Sequence, residues 1–555
     1  MDREANAHSI RVLEKQITEG KGNITKLRRA RNSLLNISTR VPPEILGYIF
    51  VWSLAREDSI SLDSPLLFEG IWKGSYNFLL VCHHWFEVAS RTPELWSFWG
   101  NTLQDWRKRH HRSRSIPLDL VLYGKHCYSH ESFDRVLQDA VQLRVAQGAI
   151  RRVHLRSNDT DTLASIISSL TPNDEGPWNE NIESIVLQND GASFVDVSQL
   201  SSRSRLPKLR LLEFTGNVQC SSWDCLSRTT LLTALSLDIS ESSPSTSLTA
   251  SHLFSVLTSN PNLQQLILID LAIPHIADES IPQVQLRNLN LLSLTGEFRR
   301  IFALLRRLAI PETLDGMFLS GFDCTMEEVS QTLVPYIRNH YRRDARFQET
   351  LGICSFSSPG SISISVNAIA NHEVAPTAKP PTAAFTVVLV DFAPPATLEK
   401  LLIDLIELIP REHVVSFNAN ALLYMKPPEE LFLMMPSVRT LYLSGVEVSK
   451  GFLQPNPNGP HANKKLLPSL RALHLEDVTL SDGDWSHLTT YLVNQTLDDQ
   501  TISLQVFGDS PLIPPEVVDE IRGLVEEFSY DQEEEAEGGE SPCSCSSHNG
   551  DPDDF

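Results

Sequence analysis

Cys82-His83-His84-Trp85 crowds metal-ligating side chains into four consecutive residues. Two imidazoles could hold a zinc ion, yet neighbouring residues on a helix point about 100° apart and cannot both face one ion. Cys220 with Cys225, and Cys543 with Cys545, have no matching pair at zinc-site spacing. The eight cysteines include no Cys-x-x-Cys and suggest no disulfide framework, so they read as reduced thiols, mostly small core residues. Other chemistry is equally hard to find. There is no Gly-x-Gly-x-x-Gly after a strand pattern, no P-loop, no Gly-x-Ser-x-Gly elbow, no His-Glu-x-x-His and no kinase set. Asp and Glu are plentiful, but sequence alone cannot pair two of them across a cleft. The expectation is a non-catalytic chain with no metal and no cofactor, against which stands an unrecognised active site between residues 320 and 435.

Charge and composition exclude further classes. The 555 residues carry a formal charge of -22 with 41% hydrophobic content, which describes a globular chain with room for more than one domain. A phosphate backbone rewards a basic surface, so nucleic acid is excluded as a general partner, and anionic membrane is disfavoured for the same reason. Half of the excess is local: Glu526 to Phe555 holds eleven Asp or Glu and no Lys or Arg, the composition of a solvated, disordered tail. No apolar run reaches the roughly 20 residues that span a bilayer. Met1 to Ser9 is polar and has no signal-peptide core. A cytoplasmic or nuclear location is expected.

The tandem histidines sit in a helical stretch from Ile37 to Asn101. Proline has no amide hydrogen to lose and its φ suits a first helical turn, so Pro42-Pro43 and Pro93 read as helix starts. Ile45, Leu46, Ile49, Phe50 and Leu54 form one apolar stripe, and Phe78, Val81, Cys82, Trp85 and Ala89 a second. Thr92 is placed to N-cap a third helix from Pro93. A unit of about sixty residues cannot bury so many large side chains alone, and some are expected to face a partner. Pro42-x-Glu44-Ile45-Leu46-x-x-Ile49-Phe50, then Val81-Cys82-x-x-Trp85 and Pro93-x-Leu95-Trp96, resembles an F-box in the form common in fungal F-box-like proteins. Val41 stands where that family usually has Leu, and the segment between Phe50 and Val81 is longer than usual by about a dozen residues.

Flanking this unit are two helical signals. Ile10, Leu13, Ile17, Ile24, Leu27 and Leu34 follow alternating steps of three and four, with Gly20 and Arg31 in the two interrupting seam positions. This is a short coiled-coil signal weakened by Gly20 and Gly22, and packing onto the helical unit and dimerisation are both open. Trp106 to Arg114 is strongly basic; a solvated helix end and a nuclear-localisation patch both fit it.

From residue 150 a loose repeat begins, apolar-x-x-apolar-x-apolar. Its clear copies are Ile150, Val153, Leu155; Ile182, Ile185, Leu187; Leu209, Leu212, Phe214; Leu232, Leu235, Leu237; Leu263, Leu266, Leu268; Leu289, Leu292, Leu294; Leu314, Met317, Leu319; Val438, Leu441, Leu443; and Leu470, Leu473, Leu475. Phe385, Val388, Val390 and the run Val414 to Phe417 are fainter ones. The second half of each phrase has strand alternation, and helical patterns fill spaces between, as at Leu163 to Leu170, His252 to Leu257, Leu398 to Ile406 and Trp485 to Val493. Thr325 to Glu328 reads as a capping-box start. Polar inserts at 241–247, 355–381 and 454–465 read as loops. The phrase resembles leucine-rich repeats, with Asn at the family's ladder position only at Asn158 and Asn217. The resemblance implies a curved stack with a parallel sheet on its inner side.

The expected fold is therefore α/β, with an N-terminal helix or short coiled coil (1–36), a helical F-box-like unit (37–101), a helical connector (102–149), an irregular leucine-rich-repeat-like βα solenoid (150–525) and a disordered acidic tail (526–555). An F-box-like unit ahead of such a solenoid resembles the substrate receptors of Skp-cullin-F-box ubiquitin ligases. The resemblance implies that Pro42, Pro43, Ile45, Leu46, Ile49, Phe50, Val81, Cys82 and Trp85 dock a Skp-type adaptor or build the face that docks it. Leu46, Phe50 and Trp85 are the ones expected to hold the helices together. A cullin would join through the adaptor, and the solenoid would hold a protein substrate of unknown identity. The alternative is an interaction scaffold outside any ligase that keeps the F-box-like fold.

Overall fold

The computed structural model describes most of residues 12–28, then 41–55, 81–99, 112–123, 150–170, 181–198, 206–239, 248–311, 314–336, 351–368, 385–390, 414–418, 429–444, 466–476, 482–496, 501–507 and 513–530, with short gaps inside several of these. Two compact units emerge, one of residues 1–266 with 270–274 and one of residues 267–269 with 275–555. The division falls inside the repeat region. Both units are mixed α/β with parallel strands, and among the described residues no helix is long and apolar enough to cross a membrane.

In the first unit, helices α1 (Pro43–Ala55) and α2 (His83–Arg91) and a 3-10 turn (Pro93–Trp96) lead into β1 (Phe98–Trp99), β2 (Leu118–Tyr123), β3 (Ile150–Ser157), α3 (Thr160–Leu170), β4 (Ser184–Asn189), β5 (Val195–Asp196), β6 (Leu211–Gly216), β7 (Val218–Gln219), β8 (Ala234–Ile239) and α4 (Ala250–Ser259). Strands β1, β2, β3, β4, β6 and β8 pair in that order, all parallel. Every side chain of the clear phrases is buried, from Ile150 to Leu475. Parallel pairing follows from the phrase, since each strand needs the same face inward and a crossover to return.

A turn recurs ahead of several of the strands. Leu209 N–H donates to Leu206 carbonyl (3.2 Å) and Leu263 N–H to Asn260 carbonyl (3.1 Å), and in each turn proline follows the acceptor residue, as Pro207 and Pro261, where its fixed φ suits the second turn position. One strand then hangs on the next through a shared carbonyl. Glu183 oxygen accepts from Arg210 and Leu211, Arg210 oxygen from Thr233 and Ala234, and Thr233 oxygen from Gln264 and Gln265. Side chains tie the opposite ends of two strands. Asn189, almost wholly buried, donates to the Ser193 (2.8 Å) and Asn217 (2.6 Å) carbonyls and accepts from Gly191 N–H, while Asn217 donates to the Gly191 carbonyl (2.6 Å). Gly216, at φ 81°, passes so close to Asn189 that a Cβ there would overlap its carbonyl. Asn260 does the same work two strands on, accepting Leu232 N–H and donating to Val256 carbonyl and Thr229 Oγ1.

β9 (Gln265–Asp270) lies at the division. In the second unit follow β10 (Val284–Gln285), β11 (Leu291–Glu297), α5 (Phe298–Leu305), β12 (Leu308–Ala309), β13 (Gly316–Phe322), β14 (Leu351–Ser358), β15 (Ser361–Ala368), β16 (Phe385–Val390), β17 (Val414–Asn418), α6 (Glu429–Leu433), β18 (Thr440–Ser444), β19 (Ala472–Glu476), α7 (Asp482–Thr496), β20 (Ser503–Phe507), α8 (Pro515–Leu524) and β21 (Glu527–Tyr530). The same turn recurs at Met435-Pro436 and Leu467-Pro468, and the same shared carbonyl at Asn290 and Arg439. Gly321 on β13 leaves room for the ring of Phe298.

Four expectations change. The helical connector contains β2, whose Asp119 is buried because Arg151 of β3 grips it with two bonds (3.0 and 2.7 Å). The insert 355–381, read as a loop, holds part of an antiparallel hairpin: β14 and β15 pair Leu351 with Ala368 through Ser358 with Ser361. Ser361-Ile-Ser-Ile-Ser-Val alternates with strand period, a signal outweighed by its serine content. The tail begins later than 526, because β21 pairs parallel with β20 and Glu526 takes a bond from Thr501 Oγ1 (2.7 Å). Not every spacer is helical either, since β5 pairs with β7 and β10 with β12 as two-residue parallel bridges. The expected helix over Leu398 to Ile406, the capping box at Thr325 to Glu328 and the inserts 241–247 and 454–465 lie wholly or largely outside the described residues.

Two outcomes follow. Asn189→Ala removes three bonds at a buried joint and is expected to lower the unfolding free energy by about 2–4 kcal/mol, read from urea denaturation. His154 on β3 bonds Ser184 Oγ (2.9 Å), and burial, helped by Arg152 and opposed by Asp119, lowers its pKa from 6.5 to about 4. The unfolded chain thus takes up this proton first, so stability is expected to fall as pH drops from about 6.5 towards 4. His154→Gln should flatten that part of the pH-stability curve.

Candidate functional site

The N-terminal helices of the first unit sort their apolar residues into two sets. α1 starts where its prolines dictate, with Leu46 N–H donating to the Pro42 carbonyl (3.0 Å). Leu46 and Phe50 turn inward, one helical turn apart, and meet Val88, Ala89, Leu95 and Trp96 in a closed core. Trp85 packs against this core from its margin, its ring 5.0 Å from that of Phe50. Trp96 Nε1–H donates to the Ala89 carbonyl (2.8 Å), which ties the 3-10 turn to α2. Gly47 lets Thr92 approach α1, since a Cβ there would stand 2.9 Å from Thr92 Oγ1.

The other set faces outward. Ile45 is 51% exposed, Tyr48 69% and Ile49 50%, and all three share one face of α1 by their spacing of three and four. Pro42 and Pro43 are exposed beside them in sequence, and Val81, just ahead of α2, is 56% exposed. Cys82 belongs to neither set: it is the N-cap of α2, its Sγ accepting from Trp85 N–H at 3.5 Å. The nine residues singled out from sequence therefore separate into core (Leu46, Phe50, with Trp85 partly), cap (Cys82) and open face (Pro42, Pro43, Ile45, Ile49, Val81). Tyr48 was missed because its hydroxyl keeps it out of an apolar stripe. Thr92 does not cap the third segment through its side chain; its hydroxyl donates back to the Val88 carbonyl (2.9 Å).

Polar groups near this face are largely committed. His83 Nε2 lies 3.1 Å from Glu87 Oε1, and Arg112 of the basic run lies over the rings of Trp96 (4.3 Å) and Phe86 (5.8 Å). Arg112 thus binds the helical unit itself. His84 Nε2 and Trp85 Nε1 are buried with no hydrogen-bond partner among the described residues, a costly arrangement for a donor. Among the described residues no three His, Cys, Asp or Glu gather as metal ligands.

No family model matches the chain, and no curated protein matches it. The site is therefore read from its geometry.

A second surface arises from strand alternation. With the leucines inside, the opposite faces of β18 and β19 present Tyr442 and His474, which are register partners, and Gln505 of β20 pairs with His474. The Tyr442 and His474 rings stack at 4.1 Å and 12°, and Phe507 lies parallel to His474 at 6.5 Å. Burial pushes the His474 pKa down, against a bond with Gln505 that raises it. This ladder could not be seen from spacing within one strand, because its members come from three strands.

The sorting is testable by stability alone. Phe50→Ala empties a closed core and is expected to cost about 3–5 kcal/mol, whereas Ile49→Ser on the open face is expected to change stability by no more than about 0.5 kcal/mol; urea unfolding of both variants checks it.

Proposed function

We propose that this chain is a substrate-recognition subunit of a Skp-cullin-F-box type ubiquitin ligase, binding a Skp-type adaptor through the open face of α1. The observation that carries this is an apolar face on a helical unit whose core is already closed. Ile45, Tyr48 and Ile49 add nothing to that core, and a contiguous exposed apolar patch usually marks an interaction site. Pro42, Pro43 and Val81 extend the docking face, whereas Leu46 and Phe50 act only by holding it in shape.

On the same reading the parallel strands behind it are a leucine-rich-repeat-like solenoid. Support comes from the turn with proline at four places, the shared carbonyl at five joints and the Asn189–Asn217 bonds. Its strand faces, the Tyr442-His474-Phe507 ladder among them, would hold a protein substrate, and the role is to raise that substrate's local concentration without doing chemistry. The adaptor and cullin machinery would operate in the cytoplasm or nucleus.

The full-length chain, mixed with a purified Skp-type adaptor, is expected to form a one-to-one complex with submicromolar Kd. Ile45→Asp with Ile49→Asp is expected to raise that Kd at least about 100-fold while leaving the fold intact by circular dichroism. A folded wild-type chain that binds no adaptor at tens of micromolar sinks the ligase reading and favours the scaffold.

A further inference from the structure

The N-terminal helix has an apolar stripe that stands exposed among the described residues. Wherever residues 12–28 are described they are helical, and Leu13, Ile17, Ile24 and Leu27 are 52 to 71% exposed. Stripes that pack onto their own domain are not left so open.

The pattern specifies what covers it. Steps of three and four put Ile10, Ile17 and Ile24 at the first seam position of successive heptads and Leu13, Leu27 and Leu34 at the second. Branching at Cβ in the first position with Leu in the second is the packing preference of parallel two-stranded coils. Arg31 occupies a first position, where a polar residue costs stability but fixes register and strand number. The flanking charges agree. At the flanking positions two parallel copies in register set Gln16 beside Lys21 and Asn23 beside Arg28, whereas an antiparallel pair centred on the same turn sets Lys21 against Lys21; the one like-charge layer of the parallel pair is Arg31 against Arg31 within the seam, a further weakening of the association. The seam runs from residue 10 to residue 34, three and a half heptads, enough for a weak coil.

Gly20 sets the strength. It holds a second seam position, where Leu stands in the neighbouring heptads, and a Cβ placed on it meets nothing within 4 Å. The gap leaves the pair without a Leu layer at mid-length, so association is reversible.

We infer that the N-terminal helix, described within residues 12–28, pairs with the same helix of a second copy as a parallel, in-register coiled coil, making the chain a weak homodimer. This goes beyond the adaptor reading and does not depend on it, because the seam shares no residue with the α1 face.

Sedimentation of the full-length chain across about 1–100 µM tests it. The wild type is expected to pass from monomer towards twice that mass over this range. Gly20→Leu, which the open space accommodates in a single chain, is expected to lower the dimer Kd at least about tenfold. Ile17→Asp with Ile24→Asp is expected to abolish association, with unchanged adaptor affinity and circular dichroism of the remaining chain. Asn23→Lys sets a second cation beside Arg28 of the other copy only in the parallel arrangement, and is expected to weaken the dimer in a salt-dependent way. A wild type monomeric at 100 µM with no response to Gly20→Leu overturns the inference, as does a dimer that survives Ile17→Asp with Ile24→Asp. Indifference to Asn23→Lys overturns the parallel arrangement.

Discussion

A single backbone carbonyl that accepts twice ties neighbouring strands at five of the described strand starts. Glu183, Arg210, Thr233, Asn290 and Arg439 each offer an oxygen that takes two consecutive N–H groups from the following strand. That double acceptance fixes the register, and a register wrong by one residue would turn every leucine out of the core. The buried phrases and the shared carbonyls therefore select the same arrangement independently. Asn189 and Asn217 add side-chain bonds to backbone carbonyls, of Asn217 and Gly191, and Asn260 accepts the N–H of Leu232.

How much of this could be read in the sequence depended on whether the signal lay within one element or across several. The leucine phrases carried their own period, and all nine clear copies are buried. Four of the turns ahead of them carry proline at the same place, as Pro207, Pro261, Pro436 and Pro468; that mark was present and would have sharpened the strand starts. β2 escaped because its buried Asp119 breaks the apolar pattern, and only Arg151 on the next strand explains why an aspartate can sit there. β14 and β15 escaped because serine-rich alternation weighs as loop composition until a neighbour supplies the ladder.

The helical unit shows the same limit from another side. Apolar spacing marked Ile45, Leu46, Ile49 and Phe50 as one stripe, yet a stripe of that width covers both the inward and the outward face of α1. What divides it is the position of α2 and the 3-10 turn, whose Val88, Ala89, Leu95 and Trp96 claim Leu46 and Phe50 and leave Ile45 and Ile49. The same packing gives Arg112 a place over two aromatic rings, so part of a run that reads as a basic patch is spent on holding the unit together.

The hairpin of β14 and β15 has a consequence for synthesis. In the finished sheet β16 lies against β13, and β14 lies against β17, so the chain doubles back between them. As the polypeptide leaves the ribosome, the outer edge of β13 stays bare until Phe385 to Val390 has been made, after both hairpin strands. Strand-by-strand accretion, available to a purely parallel array, halts there. Until Phe385 to Val390 is made, the β16-facing edge of β13 lacks the partner it has in the finished sheet, and an unpaired edge of that kind can accept another strand.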